Sequence, residues 1–176
     1  MKADIDETAS YPHPIERVWA ALTSSDALAE WLMPNDFEPV IGHRFTFRTK
    51  PAACFDGIVH CEVLELDPPN RMVWSWAGGK IDTTVTMTLQ PDGDGGTRLR
   101  LRQTGFHGLA GQLTRRILAG GYPRILRQRL PACLDRLAGQ PAGPAPADCA
   151  EGWRAYGNVF RRWRQHQPPA AGGRTR

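Results

Sequence analysis

A chain of 176 residues, of which 41% are apolar and 23% charged, is long enough for one domain with a real core, which the sequence places in residues 1–139. No apolar run approaches the roughly eighteen residues that a membrane span needs, and no charged stretch leads into an apolar one at the start, so the cytoplasm is the expected location. The net charge of +4 conceals an asymmetry: residues 105–176 hold twelve arginines against three acidic residues, so the basic character belongs to the C-terminal third.

The first segment, Asp4 to Tyr11, has the composition of an edge strand. Pro14 follows where a first helical turn tolerates it. Ile15, Val18, Trp19 and Leu22 then fall on one helical stripe, and Leu28, Trp31 and Leu32 form a second stripe behind a cap at Ser24 or Ser25, stopped by Pro34. Two short amphipathic helices are predicted, with Trp19 and Trp31 closing one end of the domain as core or as cavity wall.

After Gly42 the period changes to two. Phe45 and Phe47 alternate with Arg44, Thr46 and Arg48, and four further strands follow from Asp56 to Leu66, Arg71 to Ala77, Asp82 to Gln90 and Thr97 to Gly105. Val85, Met87 and Leu89 oppose Thr84, Thr86 and Thr88. Leu99 and Leu101 oppose Arg98, Arg100 and Arg102, so the last two strands form a hairpin with one apolar and one wet face. The glycines of PDGDGGT sit between two strands and serve that turn, since a phosphate cradle requires a strand leading into a helix.

From Gly108 the helical period returns. Leu109, Leu113 and Ile117 make one stripe; Ile125, Leu126, Leu130, Cys133, Leu134 and Leu137 make another, and the prediction is a long helix broken at Gly120-Gly121 and bent by Pro131. Residues 140–152 have linker composition. Residues 153–167 carry Trp153, Tyr156, Phe160 and Trp163 at spacings of three, four and three, interleaved with arginines, and read as a basic aromatic amphipathic helix; residues 168–176 read as a disordered tail. That helix is expected to pack on its own domain or a second copy, with a membrane surface as the next partner and nucleic acid behind it, because no recognised nucleic-acid motif accompanies the arginines. The whole is α+β: a curved antiparallel sheet wrapped on a long C-terminal helix, with two short helices after the first strand.

The stretches PIERVWAALTSSDALAEWL, GHRFTF, FDGIVHCEVLELDPPNRMVWSW, TVTMTLQPDGDGGTRLRLRQTGF and GGYPRILRQRLPACLDRL, in this order from Ile5 to Gly139, resemble the START-like (SRPBCC) helix-grip superfamily. Within it they are most similar to the branch named after the C-terminal domain of the heat-shock protein 90 ATPase activator. That branch usually carries a tryptophan after the glycines of the last helix, where this chain has Tyr122. The resemblance implies an apolar cavity between sheet and helix that holds a small hydrophobic molecule. The positions assigned to it are Trp31, Phe45, Phe47, Cys61, Trp74, Trp76, Met87, Leu101, Gln103, Leu126 and Leu130, with His107 at the rim and Thr49 as a further polar contact.

Candidates for chemistry are few. His60 and Glu62 share one side of a strand and could be drawn as a general acid/base pair, but the same alternation assigns Val59, Cys61 and Val63 to the core and leaves the pair in solvent. Cys54, Cys61, Cys133 and Cys149 show neither a C-x-x-C pair nor zinc-ligand spacing, so reduced thiols are expected. No catalytic residue, metal site or cofactor is assigned. Three functions follow in order: a non-enzymatic module binding a small hydrophobic ligand, a co-chaperone-like interaction domain, and a cyclase- or hydratase-type enzyme using polar groups in the cavity.

Overall fold

The computed structural model describes residues 4–51 and 55–139. Cys54, Cys149 and the linker, helix and tail expected beyond Gly139 lie outside the described residues. The chain runs β1 (Ile5–Tyr11), α1 (Ile15–Thr23), α2 (Ser25–Trp31), β2 (Arg44–Arg48), β3 (Ile58–Asp67), β4 (Arg71–Gly78), β5 (Ile81–Asp92), β6 (Gly96–Thr104), α3 (Gly108–Arg124) and, after one π-helical turn at Ile125–Arg129, α4 (Leu130–Leu137). The six strands form one antiparallel sheet in the order β1-β6-β5-β4-β3-β2, and the long α3–α4 helix lies against its apolar face. This is the α+β helix-grip arrangement.

Strand phase decides which side chains enter the interior. On β5 and β6, Thr83, Val85, Met87, Leu89, Leu99, Leu101 and Gln103 are buried while Arg98, Arg100 and Arg102 are exposed. The outer arginines meet carboxylates: Arg98 pairs with Asp92, Arg100 with Asp6 and Arg102 with Asp4. Two of these pairs reach across to the β1 edge. Being solvated, they orient the strand more than they stabilise it. On β3, Val59, Cys61 and Val63 are buried and His60 is exposed. A bulge follows Val63, and there Leu64 turns to solvent.

At the other end of the domain, Ser24 caps α2 by accepting from the Ala27 N–H at 3.4 Å. Trp31 lies in the core and its indole N–H donates to the Ala21 carbonyl at 2.9 Å. Ala21 belongs to the last turn of α1, whose carbonyls have no partner within the helix. One side chain therefore fills the core and finishes the preceding helix, whereas Trp19 is only half-buried.

The long helix departs from expectation in two ways. It runs unbroken through Gly120-Gly121, and its irregularity is the π turn just ahead of Pro131. Here the Leu130 N–H bonds to the Ile125 carbonyl, five residues back, and Pro131 has no N–H to offer the next carbonyl in that pattern, that of Leu126. The Tyr11 hydroxyl supplies the donor instead, reaching the Leu126 carbonyl at 2.8 Å from β1. Arg129 leaves the same turn to donate to the carbonyls of Leu32 (3.2 Å) and Glu30 (2.9 Å) at the end of α2. The π turn is thus clamped from the sheet and from the short helices.

The second departure concerns the first stripe of α3. Leu109 is 91% and Leu113 52% exposed, so the first two residues of this stripe face away from the core. Gly111 faces inward, packed so closely on Phe106 that a Cβ would lie 3.0 Å from the Phe106 carbonyl carbon. Apolar periodicity identifies a face of a helix and says nothing of which face has a partner.

Glycine substitutions separate packing from propensity. At Gly57, φ is +85° and a Cβ would stand 2.5 Å from the Thr49 carbonyl oxygen, so Gly57→Ala is expected to destabilise the domain by about 2 kcal/mol or more. Gly120 is helical with open space around it, and Gly120→Ala is expected to add about 0.5–1 kcal/mol. Chemical denaturation of both variants checks the pair of signs.

Candidate functional site

The middle of the sheet's inner face is apolar, with one exception. Register places Val63, Trp74, Val85, Gln103 and Ile5 in a row across β3, β4, β5, β6 and β1, all buried. Met72, Met87 and Leu101 form the neighbouring row. Leu126, Leu130 and Leu134 from the long helix belong to the same core cluster. Towards the β2 edge the cluster becomes aromatic. Phe45 lies edge-on to Phe37, Phe47 and Trp74 with centroids 5.1, 5.3 and 5.6 Å away, and Phe47 also meets Trp74 at 5.7 Å and Trp76 at 5.5 Å.

The exception is a chain of hydrogen bonds through the middle of the interior. Gln103 is 0% exposed. Its Oε1 accepts from the Tyr122 hydroxyl of α3 at 2.7 Å, and its Nε2 donates to Thr83 Oγ1 of β5 at 2.8 Å. Thr83 passes the chain on by donating to the Trp76 carbonyl of β4 at 2.9 Å. Gln103 reaches Thr83 diagonally, since the residue directly opposite it is Val85, and that reach is within the length of a glutamine. The relay ties the long helix to three strands. In an apolar surround such a network is favourable only when its members are bonded.

Eleven of the twelve positions assigned from the sequence, from Trp31 to Leu130, are buried in this one cluster or, for Gln103, within it. His107 is different: it stands exposed at the N-cap of α3, and its side chain makes no capping bond there. Thr49 is half-buried at the end of β2, where its N–H donates to the Gly57 carbonyl. Thr83, Tyr122 and Phe37 are not among the positions assigned to the cavity from the sequence. Thr83 was open to detection, because it shares the inward phase of Val85 and Met87.

Among the described residues, the rows around the relay hold hydrogen-bonding groups but no carboxylate, amine, guanidinium or imidazole. Among the described residues the one buried imidazole, His13, lies outside the relay, on the segment between β1 and α1; it is held by Asp135 at 3.0 Å and Arg17 at 3.1 Å, and its carbonyl accepts from Thr97. His60 is on the outer surface, and Glu62 beside it pairs with Arg44 at 3.0 Å. Among the described residues no three His, Cys, Asp or Glu side chains gather as a metal site, and no helix is long and apolar enough to cross a membrane.

Burial pushes the Cys61 thiol far up, and it pushes the Cys133 thiol up to about 11, with Glu30 adding to the shift. Both should therefore stay unreactive at neutral pH. With Cys54 and Cys149 replaced by serine, thiol reagents are expected to label the native protein only as fast as it unfolds; rapid labelling of either remaining cysteine would contradict this.

The comparisons with known proteins agree with this architecture. The family model described as Activator of Hsp90 ATPase homolog 1-like protein matches residues 12–139. The chain belongs to that family. Among solved structures, protein MLL2253 from Mesorhizobium loti is similar at 31% identity and a TM-score of 0.68, the match covering 76% of this chain and 98% of that one. CalU16 from Micromonospora echinospora shares the fold at 19% identity and a TM-score of 0.60, over 91% of this chain and 87% of its own. The Aha1 dimer from Colwellia psychrerythraea does so at 20% identity and a TM-score of 0.58, over 71% and 91%. A comparison with curated proteins gives no match.

Proposed function

We propose that this member of the Activator of Hsp90 ATPase homolog 1-like family is a cytoplasmic binding module that encloses one small hydrophobic molecule between the sheet and the long helix. The observation that carries the reading is the Tyr122–Gln103–Thr83 relay. A few placed polar groups among apolar and aromatic side chains are what a small-molecule site uses to fix orientation. The free buried thiols of Cys61 and Cys133 fit a reducing compartment.

The test is a panel of apolar compounds, including an environment-sensitive dye, read by tryptophan emission and by melting temperature. Binding should quench emission and raise the melting temperature with ligand concentration. A flat response across the panel would contradict the reading.

A second reading, an interaction domain, is favoured by the outer face of α3. Leu109 and Leu113 are exposed there, and the stretch from Gly105 to Leu134 contains five arginines and no acidic residue. Exposed apolar and basic groups of this kind fit a contact surface. Together with the aromatic segment from Trp153, this face would serve self-association or an anionic membrane surface. Truncation after Gly139 is expected to change the oligomeric mass or abolish salt-sensitive vesicle binding while leaving the domain folded; light scattering and co-sedimentation check it, and no change in either would contradict it.

A further inference from the structure

A further polar group of the interior is the indole of Trp74. The residue is 1% exposed, and its Nε1–H meets no hydrogen-bond acceptor among the described residues. Elsewhere the fold satisfies such a group, as it does for Trp31 through the Ala21 carbonyl. Buried indole N–H groups ordinarily find partners, and one withdrawn from water without an acceptor is costly. The neighbours of Trp74 are rings: Phe37, Phe45 and Phe47 lie edge-on at 6.0, 5.6 and 5.7 Å. A ring face accepts an N–H only weakly.

We infer that Trp74 Nε1 is the specificity-determining donor of the ligand site, and that the ligand is an aromatic carbonyl compound whose oxygen accepts from it. The inference rests on the binding reading above and adds the ligand's chemical class. The aromatic rings packed around Trp74 suit a flat aromatic body that can take up edge-on or offset contacts. The oxygen follows from the donor, which a pure hydrocarbon would leave unbonded and a carbonyl would satisfy. Trp74 and Gln103 lie in one row with Val85 between them, which sets their backbones two strand spacings, about 10 Å, apart.

The test uses two probes of nearly equal shape, 9-fluorenone and fluorene, of which only the first has a carbonyl. Equilibrium dialysis read by probe absorbance measures both affinities without relying on tryptophan emission. The full-length protein is expected to bind the ketone about tenfold more tightly than the hydrocarbon. Trp74→Phe should bring that ratio close to one, and Trp19→Phe, a change on the half-buried face of α1, should leave it intact. Equal affinities in the parent protein, or a preference that persists in Trp74→Phe, would overturn the inference while leaving the binding reading in place. Binding of neither probe would count against both. A second measurement needs no variant: with nitrogen-labelled tryptophan, one of the six indole N–H resonances should move downfield with fluorenone and stay put with fluorene. Identical spectra with the two probes would overturn the inference independently.

Discussion

Trp31→Ala is expected to cost about 3–5 kcal/mol, the range for deleting a large aromatic from a packed core. The side chain is fully buried where α2 packs on α1 and the long helix, and its removal also strips the Ala21 carbonyl of its partner at the end of α1. A domain of this size has a total stability of about 5–15 kcal/mol, so the substitution would remove a large fraction of it. Its melting temperature should fall by about 10 °C or more. Trp19→Ala, on the half-buried face of α1, should cost less than half as much. Urea denaturation of the two variants distinguishes their roles. Equal losses would mean that Trp31 is not the plug that the packing describes.

Gln103→Leu is expected to cost about 1–3 kcal/mol, although the substitution keeps the volume and increases the apolarity. The loss comes from the partners: the Tyr122 hydroxyl loses its 2.7 Å acceptor, whereas Thr83 keeps its bond to the Trp76 carbonyl. Adding Tyr122→Phe should recover most of the loss, because both ends of that bond are then gone, and the two changes should be strongly non-additive. Ligand affinity should behave differently. If the relay orients a bound molecule, affinity stays low in the double variant even as stability returns. Stability and affinity that recover together would reduce the relay to a structural device.

The sheet was legible because period two leaves little freedom: Val85, Met87, Leu99 and Leu101 are either all inside or all outside, and the arginines between them decide which. Gln103 follows in the same phase as Leu101, which is why a polar residue could be assigned to the interior from the sequence. The partner that gives it meaning, Tyr122, sits on a helix whose rotation against the sheet is a tertiary fact. The same limit explains α3. Leu109 and Leu113 form a regular stripe, but Gly111 is what packs on Phe106 and turns that stripe outward. Of the two irregularities expected in the long helix, the break at Gly120-Gly121 is absent, since glycines cost only propensity, and the π turn at Ile125–Arg129 stands just ahead of Pro131, whose missing N–H acts on the carbonyls before it. The orphaned donor of Trp74 had no signal in the chain at all, since whether an indole N–H finds an acceptor depends on every neighbour at once.

Native mass spectrometry of the full-length protein, purified under gentle conditions and then incubated with fluorenone, tests the central claim most directly. The account predicts a species carrying one small molecule per chain, lost on denaturation and diminished in both Gln103→Leu and Trp74→Phe. A ligand-free mass alone, before and after incubation, would contradict the existence of a small-molecule site between the sheet and the long helix.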